Sequence, residues 1–431
     1  MTSNHFSLPV ALFLAFTSTA LASTTLYVDG VSGSDSNNCT TSSTACKTIG
    51  HAISLASSGD LIKVAAATYP ENLTINISLN VIGSGASTTI IDGGGVAAVV
   101  TIPNSTNAHV SLSKMTIRNG FGNHGGGISN GQGAVLTISE SSVRQNTVTG
   151  GLQSSALGGG IYSTTGMLTI NNSIISENSA PGATGAGGGI FNIGGKMTVN
   201  NSTINGNSAT VGGGIYNDGA TMMINNSAIS GNSASAGGGG GIVNGVAGTA
   251  TLTINNSTIS GNSAPTWHGG GILNTGTLRI NNGTLNGNSA VEGGAILNGV
   301  HICSPRKGCK TYGTATLQNS IVANSPSGGN CSGYVPIASS GYNLSSDATC
   351  DFRSAGDLNN LDPMLGPLQN NGGPTQTMAL PSGSPAIDAG NPNGCRDGFG
   401  NLLKTDQRGA PRHDPEDTRG CDIGAYERQR D

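Results

Sequence analysis

The sequence predicts an all-β chain folded as a right-handed parallel β-helix, a single-stranded solenoid with three short strands per coil. Three observations carry that expectation. First, a fourteen-residue motif recurs: MLTINNSIISENSA at 167–180, KMTVNNSTINGNSA at 196–209, TMMINNSAISGNSA at 221–234, TLTINNSTISGNSA at 251–264 and TLRINNGTLNGNSA at 277–290. Glycine runs closed by an isoleucine separate the copies; these isoleucines fall at 128, 161, 190, 215, 242, 272 and 296, spaced by subtraction 33, 29, 25, 27, 30 and 24 residues. A constant motif at variable spacing is what stacked coils with unequal loops produce. Second, the period inside the motif is two: Leu252 and Ile254 alternate with Thr253 and Asn255, so the aliphatics share one face of an extended strand. Further short strands are expected around Ile259 and at 271–274. Third, asparagines recur in register, as Asn172, Asn201, Asn226, Asn256 and Asn282 and as Asn178, Asn207, Asn232, Asn262 and Asn288. Stacked amides bond along the axis, and glycine supplies positive φ at the corners. From about residue 60 to about residue 325 this predicts roughly ten coils, a rod on the order of 50 Å long.

Taken in order, residues 1–22 read as a secretory signal, with an apolar core from Leu8 to Phe16 and Ala20-Leu21-Ala22 as the cleavage site. The core is too short to span a bilayer. Residues 23–60 read as an N-terminal cap, in which Ile49, Ile53 and Ala56 at helical spacing form a short helix over the first coil. Residues 61–325 are the β-helix, opening with the strand at 61–66, and residues 326–431 are a C-terminal capping region. All eight cysteines lie outside the repeats, in sequential pairs: Cys39 with Cys46, Cys303 with Cys309, Cys331 with Cys350, Cys395 with Cys421. An even count in an exported chain reads as disulfides, nearest-neighbour pairing being the simplest of the arrangements open to them. Charged residues make up only 9% and the formal net charge is -4, which speaks against a nucleic-acid partner. The glycine triplets lack the Lys-Ser/Thr of a phosphate loop.

Three stretches carry resemblances. YVDGVSGSDSNNCT with CKTIGHAISLASSGDLIKVAAATYPENLTI resembles the start of bacterial pectate-lyase-like β-helix proteins. The GGGI and NSxISGNSA repeats resemble those of polymorphic outer-membrane proteins. LDPMLGPLQNNGGPTQTMALPSGSPAIDAGN with TDQRGAPRHDPEDTRGCDIGAYE, within 361–427, is similar to the choice-of-anchor Q domain. That last resemblance implies a β-helix held at a bacterial cell surface. Only four residues follow Glu427, without apolar tail or sorting motif, so attachment by this chain itself is not expected.

For chemistry, a pectate-lyase-like reaction needs converging carboxylates and a base, and a hydrolase needs paired carboxyl groups. Between 121 and 300 the acidic residues are Glu140, Glu177, Asp218 and Glu292, scattered over different coils. A non-catalytic surface, adhesion, matrix or carbohydrate-binding role is therefore expected, with a polysaccharide lyase or hydrolase working in a groove between longer loops, at 147–157, 180–186 and 299–313, as the alternative. The candidate ligand contacts are Trp267, the lone tryptophan, with His268 and Arg279. His268-Gly269 and Arg279-Ile280 faintly resemble polygalacturonase elements, although Asn281 stands where that family has lysine. Outward columns of Thr169, Thr198, Met223, Thr253 and Arg279 and of Asn171, Asn200, Asn225, Asn255 and Asn281 offer a regular face for polysaccharide or ice. The acidic cluster Asp406, Asp414, Glu416, Asp417, Asp422 and Glu427 is expected to pair with Arg408, Arg412 and Arg419 rather than hold calcium. No catalytic residue, metal or cofactor is assigned. Expected partners are a polysaccharide or cell-envelope component, no nucleic acid and no transmembrane segment in the mature chain, which is expected to be a secreted monomer.

Overall fold

The computed structural model describes residues 23–150, 155–245, 249–304, 308–412 and 420–429, so the expected leader at 1–22 lies outside the described residues. The chain winds as a parallel β-helix. Two sheets of twelve strands and one of ten run the length of the rod, and a seven-stranded sheet joins them in its middle. One coil passes through all four: Thr251–Asn255 in the first sheet, Thr258–Ser260 in the second, Ser263–His268 in the fourth and Ile272–Asn274 in the third. The short fourth sheet was not expected. It arises where the Ser-Ala pair that ends each repeat is held extended, as Ser208–Ala209 pairs with Ser179–Ala180 below and Ser233–Ala234 above.

Register follows the repeat. All seven glycine-led isoleucines pair in series, from Ile128 through Ile161, Ile190, Ile215, Ile242 and Ile272 to Ile296, and all are fully buried. Because side chains alternate faces, a slip of one residue would turn each coil's aliphatics outward, and the continuous core forbids it. The strand Thr25–Val28 pairs in parallel with Leu61–Val64, so the first sheet begins within the 23–60 segment. The helix Ile49–Leu55 follows, with Ile49 and Ala52 buried and Ile53 and Ala56 packed partly against the core. Thr48 caps it, and the Glu71 carboxylate accepts the Ile49 and Gly50 amides at 2.9 and 2.7 Å.

The two asparagine series differ in kind. Asn178, Asn207, Asn232, Asn262 and Asn288 point inward, where each Nδ2 but the last donates to the next Oδ1 at 2.9–3.0 Å; Asn207 also reaches the Ile175 carbonyl at 2.9 Å. Each buried amide is thereby satisfied, contributing about 1 kcal/mol net where an unpaired one would cost more. The second series does not stack inside. Asn172, Asn201, Asn226, Asn256 and Asn282 turn the corner between first and second sheets in the left-handed region, φ 46–53°. Asparagine tolerates that region better than other non-glycine residues. The glycine triplets also divide their labour. In Gly187-Gly188-Gly189 only the first has positive φ, 66°. A Cβ on the second would lie 2.3 Å from the Ser208 carbonyl oxygen, and on the third 2.7 Å from that of Gly214. Close stacking of coils, more than turn geometry, excludes side chains from those two positions.

The C-terminal region runs back along the rod. Thr375 Oγ1 donates to the Asn226 carbonyl at 3.2 Å, Asn256 Nδ2 to the Thr405 carbonyl at 2.8 Å and Asn282 Nδ2 to the Arg396 carbonyl at 2.7 Å. Asn319 Nδ2 reaches the Asp422 carbonyl at 2.9 Å. Four successive coils are thus strapped at one corner. The strap is held by buried ion pairs, Arg412 with Glu427 at 2.9 Å and Arg408 with Asp406 at 2.7 Å. Disulfides join Cys39–Cys46, Cys331–Cys350 and Cys395–Cys421. Cys309 is also disulfide-bonded; the side chain of Cys303 lies outside those described.

Candidate functional site

The third sheet carries the surface most like a binding site. Its strands are two to four residues long, so each coil presents one or two outward side chains before the turn into the first sheet. The register places Ser129, Tyr162, Phe191, Tyr216, Val243, Leu273 and Leu297 in one outward column. The rings of Tyr162, Phe191 and Tyr216 stack at centroid distances of 5.8 and 5.1 Å, and His124 covers Tyr162 at 4.8 Å. Stacked rings spend their faces on one another, and Phe191, Val243 and Leu297 are buried, so the column offers the edges and hydroxyls of Tyr162 and Tyr216 rather than a flat platform.

Beside this column lies a groove of about 480 Å³ touching four coils, with Ile102, Pro103 and Ile193 as apolar patches and Thr101, Ser129, Gln132, Thr164 and Thr165 as polar lining. His124 and Tyr162 wall one side and Asn104 the other. At its floor Gly131 lets two coils stack closely, since a Cβ there would meet the Ile102 carbonyl oxygen and Asn104 nitrogen at 2.6 Å. Thr164 Oγ1 has no hydrogen-bond partner among the described residues. Burial pulls the His124 pKa below its ordinary value and pushes the Tyr162 phenol above its own. At neutral pH a proton acceptor therefore stands beside a proton donor. Further along, burial raises the pKa of Tyr216, with the Asp218 charge adding to it, and burial also raises that of Asp218.

The residues singled out from sequence are placed apart. Trp267 and His268 lie on the strand Ser263–His268 of the fourth sheet, Arg279 on Thr277–Asn281 of the first. Trp267 is half exposed and rests against Gly238 of the preceding coil, 3.3 Å from where its Cβ would stand. His268 Nδ1 is 3.7 Å from Glu292 Oε2, too long for a hydrogen bond. Arg279 is exposed in the threonine column. That column is only partly available, because the strap lies across it: Thr253, Asn255 and Asn281 are buried, and Gly398 N donates to Asn255 Oδ1 at 3.1 Å. Thr137, Thr169 and Thr198 remain half-exposed on the outer face.

Of the loops expected to wall a groove, 299–313 contains an antiparallel hairpin, Val300–Ser304 with Gly308–Tyr312, and 151–154 lies outside the described residues. A larger cleft, about 820 Å³, opens beside Cys395 and Cys421 with Leu402, Lys404 and Arg412 in its lining; the adjoining 413–419, with Asp414, Glu416, Asp417 and Arg419, lies outside the described residues. Among the described residues, the grouping of donor atoms close enough for a metal is Cys39, Cys46 and His51. Its sulfurs are joined as a disulfide, so no thiolate is available there. No helix among the described residues is long and apolar enough to cross a membrane.

The groove and its aromatic column went unread in the sequence, though a signal existed: Tyr162, Phe191 and Tyr216 each follow a glycine-led isoleucine in three successive coils. His124 likewise stands directly before a triplet.

No protein-family model and no curated protein sequence matches the chain. Solved structures do. The pectate lyase Pel9A aligns over 95% of this chain and 98% of its own at 15% identity, with a TM-score of 0.53. XylC in complex with xylose aligns over 94% and 98% at 10% identity, TM-score 0.44. The pectin methylesterase PemA from Erwinia chrysanthemi covers 73% and 92% at 12% identity, TM-score 0.40. At 15% identity the likeness to Pel9A establishes the architecture alone: a parallel β-helix of the pectate-lyase-like kind.

Proposed function

We propose that this protein engages an extracellular polysaccharide along the outer face of its third sheet. The observation that carries the reading is the groove walled by His124 and Tyr162, continuous with the stacked Tyr162–Phe191–Tyr216 column. A linear polymer matches a linear surface, on which equivalent side chains recur at about 4.8 Å from coil to coil. Hydroxyl and amide groups beside aliphatic patches suit the mixed polar and C–H faces of sugar rings.

A catalytic version of this reading, a polysaccharide lyase or hydrolase, draws support from the shared architecture with a pectate lyase and from the proton acceptor and donor at His124 and Tyr162. Both versions suit a secreted chain, and the leader-like start together with the anchor-Q-like and outer-membrane-repeat-like segments supports a place at the cell exterior.

One experiment addresses both versions. The purified chain is incubated with pectin, alginate, xylan and β-glucans, and binding, reducing ends and unsaturated products are followed. Retention of at least one polymer supports the proposal. Product release that disappears in His124→Gln makes the protein an enzyme. Absence of retention across the panel would sink the reading.

A further inference from the structure

Resting on that reading, we infer that the third-sheet groove takes an uncharged polysaccharide rather than a polyuronate. The argument is one of charge. A polyuronate brings a carboxylate with every sugar, and a buried charge without a partner is costly. Such a ligand needs guanidinium or ammonium groups along its path, or carboxylates gathered to hold a bridging cation. Among the described residues the groove supplies neither: no Lys or Arg lines it, and its hydrogen-bonding groups are hydroxyls and amides, from Thr101, Asn104, Ser129, Gln132, Thr164 and Thr165, with the His124 imidazole and the Tyr162 phenol beside them. Continuing along the same sheet stands Asp218, level with Ile193 in the next coil, and on the neighbouring fourth sheet Glu292, level with His268. Both would repel a polyanion.

Nor can these two carboxylates share a cation. Asp218 belongs to the coil of Ile215 and Glu292 to that of Ile296, three steps along the series Ile215, Ile242, Ile272, Ile296, or about 14 Å. Two oxygens bound to one ion lie far closer. The inference also bears on chemistry: β-elimination requires a carboxyl or ester carbonyl to acidify the proton that leaves, so a polymer with neither, such as xylan, mannan or β-glucan, removes the lyase alternative and keeps binding and hydrolysis.

The test is isothermal titration or affinity electrophoresis of the full chain with xylan, mannan and β-glucan fragments against oligogalacturonate and alginate fragments, each at about 20 and 300 mM salt, where exposed charge interactions are respectively long-ranged and screened. Two groove-filling variants on exposed or half-exposed positions, Ser129→Trp and Gln132→Trp, accompany the native chain. The expected result is binding of an uncharged polymer, changing less than twofold with salt and weakened at least tenfold in either variant that retains the native melting temperature. Tighter binding of a polyuronate, lost at high salt, overturns the inference while leaving the proposed function standing. Binding of uncharged polymer that neither variant disturbs places the ligand elsewhere and also overturns it. Failure of every polymer to bind removes the proposed function and this inference together.

Discussion

The corner between the first and second sheets is built alike along the rod, yet its two halves have different surroundings. Asn172 and Asn201 in the N-terminal half and Asn256 and Asn282 in the C-terminal half share φ values between 46 and 53°. Asn172 is exposed and Asn201 half-buried, whereas Asn256 and Asn282 are buried beneath the C-terminal region. One local conformation thus serves as open surface in one half and as a row of docking amides in the other. The difference teaches that the repeat makes the corner, and that what lies over it is decided by a segment more than a hundred residues away in sequence, as in the Asn256–Thr405 and Asn282–Arg396 bonds. It also explains why the outward asparagine column is half-exposed at Asn171, Asn200 and Asn225 but buried at Asn255 and Asn281.

The comparison can be broken most strongly at Arg412. This side chain is buried, pairs with Glu427 at 2.9 Å and donates to Asn256 Oδ1 and the Gly424 carbonyl at 2.8 and 2.7 Å. Arg412→Ala removes a buried ion pair and the hydrogen bonds that tie the strap to Asn256, a loss of about 3–5 kcal/mol. Limited proteolysis should then cut within 361–429 while the N-terminal coils stay resistant; uniform loss of protection would show that the two halves are not separable. Next comes Asn232→Ala in the interior ladder, which strands the Ile204 carbonyl and the neighbouring amides of Asn207 and Asn262. A cost of about 1–3 kcal/mol is expected by denaturant titration, similar in both halves because the ladder runs beneath each.

The corner itself gives a finer contrast. Replacing asparagine by glycine retains the left-handed turn, so the substitution reports the side chain alone. Asn256→Gly should cost about 1 kcal/mol and raise hydrogen exchange around 405–412, while Asn201→Gly should be near neutral. Equal effects would remove the distinction drawn between the halves. The smallest effect is expected at His124 in the bare half, an exposed side chain whose pKa burial lowers. A depressed histidine pKa means the unfolded chain binds the proton more readily. Stability should therefore be level above the unfolded value of about 6.5 and fall as pH drops from there through the folded value. His124→Gln should flatten that slope in melting curves taken between pH 4 and 8.

Much of the fold was legible because it is written locally and repeated. Period-two alternation sets which side chains face inward, and the repeating isoleucines fix the register, so coil number and rod direction follow from counting. The fourth sheet was less legible, since Ser208–Ala209 carries no alternation long enough to read as a strand. The candidate site was scarcely legible at all. Trp267, His268 and Arg279 are near one another in sequence but divide between two sheets, whereas His124 and Tyr162 are 38 positions apart and touch through a parallel register in which Leu157 pairs with His124. Rarity drew attention to the tryptophan; recurrence in space, which a one-dimensional reading undervalues, makes the aromatic column.

By itself the sequence determined the solenoid and its buried aliphatics, and it offered as the simplest arrangement the cysteine pairs found at Cys39–Cys46, Cys331–Cys350 and Cys395–Cys421, because each depends on residues a coil or less apart or on a pattern that must repeat to pack. Tertiary structure alone decided which flank is strapped, which face stays open and which side chains meet in the groove. Those outcomes depend on surfaces left over once the core is satisfied, where bonds such as Gly398 to Asn255 join positions 143 residues apart and no local period announces them.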